Sequence, residues 1–188
     1  MEYMGNQSFW DKKFEARDMR LMGHEKKLEE DLSHFKAGSR ILDFACGDGR
    51  NTIFLAKLGY LLSAVDFSEK AIARLQYFSD KNCIPIDMSC ADLRNVESIS
   101  KMDCFDGIII NHYRVDGNIY KELEKHILPG GLLWVNGFCK IPESNPNVKK
   151  QDLLSEEDFL DLTSMQLEDK KQYEIMNCSF CRYIYRKR

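Results

Sequence analysis

Short apolar runs recur along the chain at about 40–44, 61–66, 84–89, 105–111 and 131–138. Between several of them the apolar positions switch to a helical spacing, predicting helices at about 49–58, 69–80 and 117–127. Strands alternating with helices in this way predict a parallel sheet covered on both faces. The uninterrupted apolar stretches 108–110 and 132–135 fit strands buried on both sides. Local signals mark the boundaries. Gly59 stops the first helix, and Ser68 is placed to cap the second, where Ile72, Leu75 and Phe78 fall together.

Outside this region the pattern changes. Residues 7–37 read as two helices. The first carries Phe9, Trp10 and Phe14 on one side, and the second, from about Leu21 to Phe35, is amphipathic and ends before Gly38 as its C-cap. Ser155, followed by three acids, predicts one more helix. Two last strands within 165–187 predict an antiparallel pair closing the sheet, with 168–171 either a turn or an exposed strand face. The expected organisation is a single domain over 1–188, with a helical cap at 1–37 and an α/β core at 38–188.

Composition narrows the partners. A net charge of −3 over 188 residues gives no general electrostatic reason to bind nucleic acid or anionic lipid. No apolar run is long enough to span a bilayer, and the start, with Glu2, lacks an apolar leader, so a cytoplasmic location without a membrane partner is expected. Seven cysteines form no regular framework and read as reduced, mostly core thiols. Cys178 and Cys181 make a lone CxxC in a strand-like run, with no second pair or histidine to complete a metal site. The basic, aromatic tail 182–188 reads as an edge strand with exposed cations.

The candidate chemistry lies after the first predicted strand. Asp43 ends it, and Ala45, Cys46, Gly47 and Gly49 form a turn of small residues before Arg50 and Asn51 open a helix. Such a turn lets a ligand approach the backbone, and the helix start offers N–H groups to an anion. Nineteen residues after Gly47, Asp66 ends the second strand, where it can accept from both hydroxyls of a ribose, with Phe67 and Ser68 beside it. A third acid, Asp92, sits between Ala91 and Leu93 after the third strand, where it can accept from an adenine amine. A dinucleotide needs a third glycine where Thr52 stands, and Asp43 would repel a pyrophosphate. S-adenosylmethionine (SAM), whose methionine end carries an ammonium group, fits these acids better. A nicotinamide-dependent oxidoreductase and a non-catalytic SAM-binding protein remain alternatives.

These segments resemble the class I SAM-dependent methyltransferases. The stretch from Asp43 to Gly49 looks like their first motif, 64–68 like the ribose-binding segment, 90–93 like the adenine-edge segment, and 128–133 like the turn entering strand 5. Within that class, Arg50-Asn51, 54–56, 71–75 and the aromatic opening 9–14 are similar to the small tellurite-resistance (TehB-like) enzymes. Ala45 departs from the first glycine usual in the motif. The resemblance implies a Rossmann-like, doubly wound seven-stranded sheet ordered 3-2-1-4-5-7-6 with strand 7 antiparallel. It also implies SAM bound across strands 1 and 2, with S-adenosylhomocysteine (SAH) as product.

The methyl would then face the end of strand 4, where Asn111, His112, Tyr113 and Arg114 follow one another. His112 is a candidate base, Tyr113 a candidate for orienting the acceptor, and Arg114 a candidate for attracting an anion. Asn111 is followed by no proline and Arg114 stands at the aromatic position, which counts against nucleobase or amide methylation. Phe9, Trp10, Met19 and Met22 are candidates for an apolar acceptor pocket. The expected partner is a small-molecule methyl acceptor; its identity and the oligomeric state are not readable from the sequence.

Overall fold

The structure is a computed structural model and describes residues 6–188; the opening around Glu2, read for a leader, lies outside them. Strands β1 (Arg40–Phe44), β2 (Leu61–Asp66), β3 (Asp87–Cys90), β4 (Phe105–Asn111), β5 (Ile127–Phe138), β6 (Met165–Ile175) and β7 (Cys178–Lys187) form one sheet in the order β3-β2-β1-β4-β5-β7-β6. The first five strands are parallel, and β7 runs antiparallel between β5 and β6. The order and the antiparallel closure are those expected. The strand order reverses between β1 and β4, and a ligand crevice opens at such a point, beyond the carboxyl ends of the strands.

Side chains of the central strands alternate between two cores. Leu42, Phe44, Ile108, Ile110, Leu133 and Val135 pack on one face under helix α6 (Gly117–Lys125). Ile41, Ile109, Leu132, Trp134 and Ile184 pack on the other, beneath Leu28 and Phe35 and against Leu55 of α3 (Arg50–Lys57). Helix α4 (Glu69–Asn82) begins where Ser68 accepts from the Ala71 N–H, as its sequence position predicts. Among the described residues no helix is long and apolar enough to cross a membrane.

Several expectations need correction. The amino-terminal segment forms helix α1 (Gln7–Glu15), but the second helix is only α2 (Lys26–Glu30) followed by a short 3-10 segment. Residues 21–25 are irregular because tertiary contacts hold them. The His24 ring stacks on Phe54 at 3.6 Å, and the Glu25 N–H donates to Asn51 Oδ1 at 2.9 Å. Gly38 is left-handed, with φ +73°, but lies in a turn beyond the 3-10 segment. Ser155 opens only a 3-10 turn, Glu156–Phe159, and a short helix α5 (Val96–Ile99), not expected, follows β3.

The tail is not an edge strand. β6 takes the edge, and Arg182 of β7 is 2% exposed, with Nε 2.8 Å from Asp31 and Nη2 2.6 Å from Asp169. Nor are the cysteines mostly core: only Cys46 is fully buried, and Cys83, Cys90 and Cys104 are exposed.

Candidate active site

The turn after β1 is shaped by its small residues. Ala45, Gly47 and Gly49 all take positive φ, at +63°, +56° and +84°. A side chain at Gly49 would run into Leu75, since a Cβ there would lie 2.2 Å from Leu75 Cδ1. Asp66, at the end of β2, braces the turn: its carboxylate accepts from the Gly47 N–H at 2.8 Å and from the Ser68 N–H at 2.9 Å. Asp43 accepts from Thr52 Oγ1 at 2.6 Å. Burial pushes both carboxyls up, Asp43 to about 7 and Asp66 to about 6, against the pull of those hydrogen bonds.

These residues line a cavity of about 330 Å³ at the reversal of strand order. Asp43, Ala45, Cys46, Gly47, Arg50, Asn51, Asp66 and Phe67, all singled out in the sequence, border it. So do Asn111, His112 and Tyr113 at the end of β4. Trp10 and Met22 contribute apolar wall as expected, whereas Phe9 and Met19 do not line it.

Other predicted residues sit elsewhere. Asp92 and Ala91 border a smaller pocket of about 200 Å³, which shares Phe67 and Tyr113 with the main cavity. Leu93 is buried in the core, and Gly49 packs beneath the turn against Leu75. Ser68 ties two helices together: its hydroxyl donates to Asp11 of α1 at 2.5 Å while capping α4. Arg114 turns away from the cavity. Its Nε and Nη2 reach Asp158 Oδ1 at 3.0 and 2.6 Å, and Nη1 donates to the Gln151 carbonyl. It anchors the 150–159 segment and does not line the cavity.

The structure also brings in residues that were not named as site candidates. α1 lies against α4, and Arg74 donates to the carbonyls of Arg17 and Asp18, holding that segment over the glycine turn. Lys13, Phe14 and Arg17 thereby join the cavity wall, with Asp48, Phe138 and Asn145. Arg17 and Arg74 each lie within 3.3 Å of Asp48. Lys13 sits 4.4 Å from the Trp10 ring centroid, and burial, with Arg17 nearby, lowers its pKa. Glu25, at the N-terminus of α2, places Oε2 3.2 Å from His112 Nε2. The expected helical cap at 1–37, with Trp10 and Met22 as pocket candidates, pointed to this segment, but not to Glu25 or Arg17.

The chain matches the family described as "Tellurite resistance protein TehB" over residues 3–137. The chain belongs to the TehB family. A probable SAM-dependent methyltransferase TehB of Haemophilus influenzae is 29% identical over 96 residues, spanning 49% of this chain. The chain covers 33% of the length of that relative. The crystal structure of TehB from Haemophilus influenzae superposes with a TM-score of 0.70 at 17% identity, covering 97% of this chain and 67% of that one. The [4+2]-cyclase SpnF superposes with a TM-score of 0.74 at 12% identity, covering 99% and 96%. The TehB-family chain thus has the Rossmann-like fold of class I methyltransferases. Its neighbour SpnF shows that this fold by itself does not name a reaction.

The residues present fit SAM. Two buried carboxylates face one cavity, the turn beside them is built mostly of small residues, and the cavity size suits a small organic molecule. Asp43 suits an ammonium group and Asp66 a ribose diol.

Proposed function

We propose that this TehB-family chain transfers a methyl group from SAM to a small-molecule acceptor. The observation that carries the reading is the pair Asp43 and Asp66, both buried and both facing the cavity across the Ala45–Gly49 turn. SAM, when bound, supplies a methyl group on a positively charged sulfur. Asp43 would hold the ammonium end and Asp66 the ribose, with Phe67 beside the adenine and Asp92 near its amine. The second pocket, which Asp92 borders, shares Phe67 and Tyr113 with the first, which supports an adenine lying toward Asp92.

The residues of the chain then position the acceptor and keep water away. Trp10, Phe14, Met22 and Phe138 form apolar wall, and His112 and Tyr113 border the same space. Burial raises the Tyr113 hydroxyl well above its ordinary pKa, so it remains a neutral donor for orienting an acceptor atom. Arg114, bound to Asp158, is left out of this set.

Calorimetric titration with SAM, SAH and NADH tests the cofactor. Binding of both sulfur ligands and no binding of NADH is expected. Binding of NADH alone would replace the reading with an oxidoreductase. SAM binding without turnover across an acceptor screen would leave a binding protein.

A further inference from the structure

His112 is held in an unusual way for a residue at a strand end. Its φ is +58°, its N–H donates to the Asn136 carbonyl at 2.7 Å, and its ring stacks on Phe180 with centroids 5.1 Å apart. Phe138 flanks the ring at 5.5 Å. A left-handed backbone on a residue this bulky is strained, and surrounding contacts must hold it. Nε2 is buried and points toward Glu25 Oε2 at 3.2 Å, an ion-pairing distance though not aligned as a hydrogen bond. Nδ1 is the ring nitrogen that does not meet Glu25, and the ring lines the main cavity.

Glu25 is itself fixed. Its N–H donates to Asn51, its carboxylate accepts from the Lys27 N–H at 3.3 Å, and Arg50 Nη2 lies 3.6 Å away. Burial is the largest influence and raises its carboxyl, but His112, the Lys27 N–H and Arg50 together outweigh it and the net shift is downward, so it stays ionised. An ionised carboxylate on one imidazole nitrogen favours the proton there and leaves the other nitrogen as a base.

We infer that Glu25 is a positioning residue that sets the His112 tautomer, and that His112 Nδ1 deprotonates an acceptor carrying a weakly acidic hydroxyl on an aromatic body. The inference rests on the reading of this cavity as a methyl-transfer site. The aromatic body follows from the wall: Trp10 and Phe14 on one side, and Phe138 beside His112 on the other. In the step, Nδ1 takes the O–H proton while an oxygen lone pair forms the new C–O bond. The C–S bond breaks with its electron pair leaving on sulfur. The products are a methyl ether, a neutral thioether and an imidazolium paired with Glu25.

Two probe acceptors of one shape separate a base from a structural part: 2-naphthol, which keeps its proton near neutral pH, and 2-naphthalenethiol, which loses it readily. His112→Asn keeps a residue that tolerates the left-handed backbone and removes the base. It should lower turnover of 2-naphthol about 100-fold, leave the thiol within about threefold, and leave SAH affinity by calorimetry unchanged. Glu25→Gln, which still offers an acceptor to the Lys27 N–H, should lower kcat for 2-naphthol and leave KM unchanged. In the ligand-free protein, ¹⁵N spectra of labelled histidine should show the His112 proton on Nε2, assigned by its loss in His112→Asn. Equal losses on both acceptors, a proton on Nδ1, or a wild type that binds SAH and methylates neither probe would each overturn the inference. A wild type that binds no SAH would remove the cofactor reading, and this inference with it.

Discussion

Asp66 and Gly47 are joined by a hydrogen bond of 2.8 Å from the glycine N–H to the carboxylate, which locks the end of β2 to the turn after β1. The same carboxylate accepts from Ser68. Asp66 therefore shapes the turn as well as facing the cavity. Asp66→Ala should weaken SAM binding about 100-fold, the equivalent of losing two charge-assisted hydrogen bonds. Arg114→Ala, whose contacts run to Asp158 and Gln151, should leave SAM affinity unchanged. Calorimetry on the two variants checks both; equal losses would mean that the cavity has been misassigned.

Asp43 and Asp66 make binding and stability respond to pH in opposite directions. Their pKa values are raised in the folded protein, to about 7 and about 6. A carboxyl raised on folding contributes stability that is full below its unfolded pKa, near 4, and is lost as pH rises through the folded value. In the proposed binding mode the ligand's ammonium group instead needs Asp43 ionised. The rise in Tm given by saturating SAH should thus be larger at pH 8 than at pH 5.5. Asp43→Asn should reduce that difference, leaving the part that Asp66 contributes. It should also stabilise the ligand-free protein at pH 8, since the amide oxygen can still accept from Thr52. The ionisation cost removed is on the order of 4 kcal/mol, and thermal melts at the two pH values measure it.

The glycines of the fold are not equivalent. At Gly49 a methyl group would meet Leu75 at 2.2 Å on a backbone with φ +84°, whereas at Gly59, φ +89°, nothing lies within 4 Å. Gly59→Ala should cost about 1 kcal/mol from backbone strain alone. Gly49→Ala adds overpacking and should cost about 3 kcal/mol. Urea titration of both variants tests the difference.

What the sequence disclosed follows from burial. The central strands are apolar because both faces are covered, so β1, β2 and β4 could be placed to the residue, as could the cap at Ser68. The glycine turn and its flanking acids were legible for the same local reason. Arg17, which lines the cavity, and Glu25, which meets His112, were not, because the Arg74 and Asn51 contacts that fold the amino-terminal segment over the site bring them there. The helix expected to begin near Leu21 fails where Gly23 weakens it and the stacking of His24 on Phe54 holds the chain open. Arg182 was misread because a basic tail says nothing of the two acids that meet it, Asp31 and Asp169.

That buried network yields the last prediction. Asp31 Oδ2 accepts from Trp134 Nε1 at 2.8 Å and lies 2.8 Å from Arg182 Nε, so one carboxylate joins the segment after α2 to β5 and β7. Arg182 Nη1 is buried without a hydrogen-bond partner among the described residues. Asp169, itself 46% exposed at its side chain, supplies the other contact. Removing Asp31 leaves the guanidinium buried against a single, partly hydrated acid. Asp31→Asn should therefore cost about 3 kcal/mol. Adding Arg182→Met removes the stranded charge and should recover more than half of that loss. A double-mutant cycle by urea titration checks this. Additive losses in the double variant would mean that the two side chains do not act as a pair.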